Sequence, residues 1–141
     1  MIMKLILCVD DEMGIAFANK RQSKDKYLCE NIVALSKDTS LLMNTYSGKM
    51  FLEYGLDDMI IADDFLKYAK NDDFCFAENN DFTEYLAKID EIVLYRWNRH
   101  YGADEFFDPN ILQDFRMYAK RDFVGFSHDT ITEERYKGWK E

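Results

Sequence analysis

The 141-residue sequence predicts an α/β domain, with a mainly parallel, twisted sheet flanked by helices. Short apolar runs bounded by polar or turn residues recur along the chain, as buried strands do. Between them lie segments whose apolar residues return at helical spacing. Strands that alternate with helices favour parallel pairing through right-handed crossovers. Pro109 is the only proline, and no repeat or low-complexity tract interrupts the pattern, so one domain is expected over residues 1–141.

The strands expected, in order, are residues 4–9, 40–43, 58–62, 74–77 and 91–97. The first and last are apolar enough to be covered on both faces, which places them in the sheet interior. Ser23 is positioned to cap a helix in which Tyr27, Leu28, Ile32 and Leu35 recur at helical spacing. Residues 45–54 put Tyr46, Met50, Phe51 and Tyr54 on one face. Asp63 or Asp64 can cap a helix over 65–69, and Asp81 one over 82–88, with Glu84 in a first turn that favours negative charge. Residues 115–136 alternate less cleanly and are expected to add one or two antiparallel edge strands.

Eleven Phe, nine Tyr and two Trp among 32% charged residues describe a globular chain. No apolar run approaches the roughly 18 residues of a membrane span, so no membrane association is expected. Cys8, Cys29 and Cys75 are far apart and odd in number, and read as reduced core thiols of a cytoplasmic protein. A formal net charge of −9 repels phosphates, which argues against general nucleic-acid binding and for solubility or a basic partner.

Two phrases suggest a family. Leu5-Ile6-Leu7-Cys8-Val9 runs into Asp10-Asp11-Glu12-Met13-Gly14-Ile15, and Ile92 to Trp97 is followed by Gly102-Ala103-Asp104-Glu105-Phe106-Phe107. Together they resemble dihydrofolate reductases, which open on a strand ending in V-D before G-I or G-M and carry a late G-D-x-x-F. The resemblance implies that family's fold over nearly the whole chain. For a reductase it also implies a helix carboxylate that holds the pteridine ring; Asp25 is the nearest candidate and Glu30 the second. Read as residues alone, both belong to a solvated helix face. The family's first phosphate cradle is a strand-to-helix turn with glycine, arginine and threonine; here Asn44, Thr45, Tyr46 and Ser47 stand there. Free N–H groups survive at that helix start, and Ser47 could replace the threonine. The family's second cradle is a Gly-Gly pair, replaced here by Ala77, Glu78 and Asn79. A carboxylate some 4 Å from a phosphate costs on the order of 1–4 kcal/mol.

The phrases K-R-Q-S-x-D and Y-R-W-N-R-H also resemble small clostridial proteins labelled ribonuclease Z. That enzyme's H-x-H-x-D-H zinc motif is not in this chain, which has only His100 and His128. Acidic pairs at strand ends read as caps and turns in preference to Mg²⁺ ligands. No nucleophile elbow or phosphate-binding glycine loop is present, and no Ser, Cys and His assemble into a triad in the sequence.

One basic and aromatic cluster interrupts the acidic chain. Arg96, Trp97, Arg99 and His100, with Lys20 and Arg21 if folding brings them near, are the candidate ligand-binding residues for a small anionic ligand or a protein partner. The competing reading pairs these arginines with neighbouring acids. The function expected is therefore a non-catalytic binding or regulatory protein on a degenerate reductase-like scaffold, without cofactor. The alternative is an NADPH-dependent reductase of a pteridine-like or other small heterocycle, with Asp25 catalytic and Asn44, Thr45, Ser47, Glu78 and Asn79 at the cofactor. A hydrolase or nuclease is a third reading, resting on His100 and its arginines.

Overall fold

The computed structural model of the protein describes residues 2–138. Its elements are β1 (Met3–Val9), β2 (Gly14–Phe17), β3 (Lys20–Arg21), α1 (Lys26–Leu35), β4 (Leu41–Met43), α2 (Thr45–Glu53), β5 (Ile60–Ile61), β6 (Phe74–Phe76), β7 (Ile89–Arg96), β8 (Glu105–Phe106), β9 (Phe115–Phe123) and β10 (Ile131–Gly138). Seven strands form the main sheet in the order β5-β4-β6-β1-β7-β10-β9. The first five are parallel, and β10 runs antiparallel to both its neighbours. A smaller antiparallel sheet, β3-β2-β8, sits beside it.

The period of two along β1 explains its central place. Met3, Leu5, Leu7 and Val9 face one core cluster and Ile6 faces the other. In β7, Ile92 and Leu94 join the first cluster while Val93 and Tyr95 join the second. Both strands are interior, as their apolar runs predict. Leu28, Cys29 and Ile32 of α1 and Met50 and Phe51 of α2 cover the second cluster, so both α-helices lie on one face. The opposite face is closed by Phe65, Leu66, Phe82 and Phe107 from short turns and loops.

Three details differ from the sequence reading. Residues 65–69 and 82–88 form only 3₁₀ turns, over Phe65–Lys67 and Thr83–Lys88, because so few residues cannot sustain an isolated α-helix. The 115–136 segment does supply two antiparallel strands, but only β9 is an edge, since β10 lies between β7 and β9. The small sheet goes unforeseen because strands of two to four residues show too little alternation to read.

The β7–β10–β9 half of the sheet buries three acids, Glu91, Glu133 and Glu134. Each is matched. Arg135 and Tyr118 donate to Glu91, Tyr95 and Arg121 to Glu133, and Arg96 and Tyr136 to Glu134. Among the described residues no helix is long and apolar enough to cross a membrane. Because β1 is covered on both faces, Leu7→Ala is expected to destabilise the protein by about 2–5 kcal/mol, measured by urea unfolding at unchanged m-value.

Candidate functional site

Three stretches distant in sequence meet beyond the carboxyl ends of β1 and β7. The first joins β3 to α1, the second follows β7, and the third precedes β10. Asp10, at the end of β1, ties two of them down. Its Oδ1 accepts from the amides of Glu12 and Gly14, and its Oδ2 from Gln22 Nε2 and the amide of Tyr101. Gly14 must be small here: a Cβ would lie 2.5 Å from Ala103 Cβ and 2.9 Å from both Asp10 Oδ1 and Gln22 Nε2. Gln22 also donates to the carbonyl of Gly102.

Asp25 organises the rest. It lies 1% exposed rather than on a solvated helix face, while Glu30 does lie exposed. It is Asp25, not Ser23, that caps α1, accepting from the amides of Tyr27 and Leu28. The same carboxylate accepts from the amides of Phe126 and Ser127 at 2.9 Å. Its Oδ2 also lies 2.9 Å from His128 Nδ1. Gly125 permits this approach, since a Cβ there would stand 2.7 Å from Asp25 Oδ2.

His128 is buried, with the Trp97 indole stacked on it at 4.6 Å between centroids. Its Nε2 lies 3.0 Å from Ser23 Oγ and 2.8 Å from Tyr101 Oη. Ser23, His128 and Asp25 therefore stand in the order and at the spacing of a nucleophile–base–acid relay, which the sequence did not reveal. Tyr101 shares the ring nitrogen that such a serine would need.

A second cluster lies alongside. Arg21 meets Glu78 through two hydrogen bonds of 2.8 Å, and its guanidinium lies 4.2 Å from the centre of the Tyr46 ring. Ser47 Oγ donates to the same carboxylate at 2.8 Å. Burial disfavours the Arg21 charge, but the bonds to Glu78 outweigh it and raise its pKa. Between the two clusters, a cavity of about 10 Å³ is bordered by Ser23, Asp25, Glu78 and Trp97. That is roughly the space of one water. Cys8, half-buried, borders it too; burial pushes the Cys29 and Cys75 thiols up to about 12.

The basic residues singled out in the sequence do not share one surface. Arg96 bonds Glu134 at 2.9 Å, and Trp97 is buried. Arg21 points to Glu78. Arg99, His100 and Lys20 are exposed, with His100 3.2 Å from Glu12. Of the residues at cofactor positions, Asn44 caps α2 by accepting from Ser47, and the Thr45 amide donates to Asp63. Asn79 is bound to Asn19 of the opening loop. Among the described residues no group of three or more His, Cys, Asp and Glu side chains is arranged to hold a metal ion.

No protein-family model matches the chain, and no curated protein matches it in sequence. The structure is similar to a dihydrofolate reductase from Enterococcus faecalis, solved with NADP(H) and the compound RAB-propyl, at a TM-score of 0.71 and 12% identity. The match covers 99% of this chain and 97% of that one. The chain thus has a dihydrofolate reductase-like fold.

Burial alone would raise the Asp25 carboxyl, but the amides of Phe126, Ser127 and Leu28 and the His128 ring together hold it below its ordinary range. A carboxyl depressed in the folded state stabilises the fold above its unfolded pKa, about 4, and that contribution is lost as pH falls through the folded value. Asp25→Asn keeps one acceptor for the helix cap but turns an NH₂ towards the donating amide of Ser127. It is expected to cost about 1–3 kcal/mol near neutral pH. The gap to wild type should begin to narrow below about pH 4, where the unfolded chain takes up the proton, and close as pH falls through the lower folded value. Unfolding curves across pH 2.5–7 (roughly the range that brackets carboxyl titration) measure both.

Proposed function

We propose that the chain is a non-catalytic binding protein on a dihydrofolate reductase-like scaffold, recognising a partner or small ligand through its outer surfaces. One observation carries this reading. The interior positions that the resemblance assigns to ring and cofactor are satisfied by one another, through Asp25 to backbone and His128 and through Glu78 to Arg21 and Ser47. A space of about 10 Å³ remains between them, too small for a pteridine. The three free thiols fit a reducing, cytoplasmic setting.

An NADPH-dependent reductase is the alternative that the Enterococcus faecalis enzyme, seen with NADP(H), brings to mind. Against it, Glu78 stands where the resemblance puts a cofactor phosphate, and the Thr45 amide at the other cradle already donates to Asp63. Titration of NADPH followed by its fluorescence is expected to show no saturable binding at micromolar concentrations. A low-micromolar Kd would favour the reductase, with Asp25 the residue to mutate.

The relay-like spacing of Ser23, His128 and Asp25 favours a second reading, a hydrolase. With Tyr101 on the same nitrogen and so little room beside Ser23, a fluorophosphonate probe is expected to leave the protein unlabelled. Labelling that disappears in Ser23→Ala would establish the hydrolase instead.

A further inference from the structure

The main sheet ends on one side in β9, which has a hydrogen-bonded neighbour, β10, along one edge alone. An edge strand turns about half of its backbone N–H and C=O groups outward, where another strand can take them up. β9 is long for an edge, from Phe115 to Phe123, and residues 116–122 are all exposed. No other strand among the described residues has so long an exposed run. At the opposite edge β5 offers only Ile60–Ile61. Apolar side chains are left in water along the same stretch. Met117 and Tyr118 are 41% and 49% exposed, and Val124 and Phe126, just beyond the strand, 72% and 62%.

The charge of this edge is opposite to that of the molecule. β9 carries Arg116, Lys120 and Arg121 against Asp122 alone, in a chain of net charge −9. Lys137 of β10 is exposed and stands opposite Arg116. Arg121 lies 3.3 Å from Glu133 yet keeps half of its side chain in water. Arg116 and Lys120 make no ion pair among the described residues. Glu134, across from Lys120, is already taken by Arg96 and Tyr136. Tyr118 stands opposite no residue of β10; it is the extra residue of a bulge, which leaves 119–123 as the regular stretch. A bulge and a lysine discourage pairing with apolar strands at large. The same cations favour an acidic strand.

We infer that β9 takes up an acidic, extended segment of a partner protein as an added strand along residues 119–123. The segment's backbone supplies main-chain hydrogen bonds, and its acids meet Lys120 and Arg121, with Arg116 and Lys137 at one end. Apolar residues at alternate positions of the segment lie against Phe123 and Val124. A second copy of this chain fits less well, because two β9 strands would set Arg116, Lys120 and Arg121 against the same three. The inference rests on the reading of the chain as a binding protein and names its partner class.

The test is fluorescence anisotropy of a labelled peptide of about ten residues alternating Glu and Val, titrated with the full chain. A peptide alternating Glu and Pro carries the same charge but lacks the amide donors of a strand. Wild type is compared with Lys120→Glu and with Lys37→Glu, the same reversal at an exposed residue of the turn after α1. Both side chains are exposed, so both variants should fold; circular dichroism checks this. Saturable binding of the Glu-Val peptide is expected, weakened about tenfold by Lys120→Glu and unchanged by Lys37→Glu. Hydrogen exchange at the amides of 119–123 is expected to slow when the peptide is bound. Absence of saturation overturns the inference, and so does unchanged exchange in β9. Equal binding of the Glu-Pro peptide, or equal weakening by Lys37→Glu, overturns it too, since either makes the effect one of charge alone. A dimer in sedimentation that protects the same amides without peptide overturns it in favour of a second copy. The NADPH titration reports on the binding-protein reading independently of these outcomes.

Discussion

One carboxylate holds the candidate site together. Asp25 caps α1, fastens the 125–128 loop through two backbone amides, and fixes the His128 ring. The ring then fixes Trp97 by stacking and Ser23 and Tyr101 by hydrogen bonding. Segments from the beginning, middle and end of the chain are thereby locked to one another. An acid whose oxygens already accept from four amides and lie beside an imidazole has little left to offer a ligand's donors.

A similar economy governs the arginines. In a chain of net charge −9 they look, in sequence, like a local reversal of field and so like a site for anions. Folding gives Arg21 to Glu78, Arg96 to Glu134, Arg121 to Glu133 and Arg135 to Glu91. The partners lie 12 to 57 residues away, so neighbouring acids were the wrong place to look. These four cations engage Glu78 and three acids of β7 and β10.

Much of the fold is legible in the sequence because burial imposes a period. The runs that became β1 and β7 announce two-sided cover by unbroken apolar residues, and Leu28, Ile32, Met50 and Phe51 announce helices by spacing. The site is less legible, for a physical reason. Ser23 and Asp25 are both good cap residues two positions apart, and local rules cannot choose between them. The choice is made by the amides of Phe126 and Ser127, about a hundred residues away, which need an anion and are brought there by Gly125. His128 carries no local signal either. It follows a serine in a polar loop, and its role exists only once β10 pairs with β7.

The interior beyond the carboxyl ends of the parallel strands is filled by side chains that bind one another. A sheet of this topology leaves a space beyond the carboxyl ends of its parallel strands, where loops and helix starts converge. In an enzyme that space is held open for ligands by small residues and unpaired donors. Here Glu78 stands where the resemblance expects glycine, and it draws Arg21 and Ser47 inward. A buried ion pair of this kind adds little stability over well-packed apolar groups, while removing one partner leaves a costly unpaired charge. Once both partners were present, each therefore held the other in place. Its sure structural effect is to fix β3 and the start of α2 across the space. Of the two apolar cores, the first lies away from that space, while the second borders it through Leu28, Cys29, Met50, Phe76 and Trp97. Glu78, Arg21 and Ser47 thus close the space between the loops with hydrogen bonds to one another.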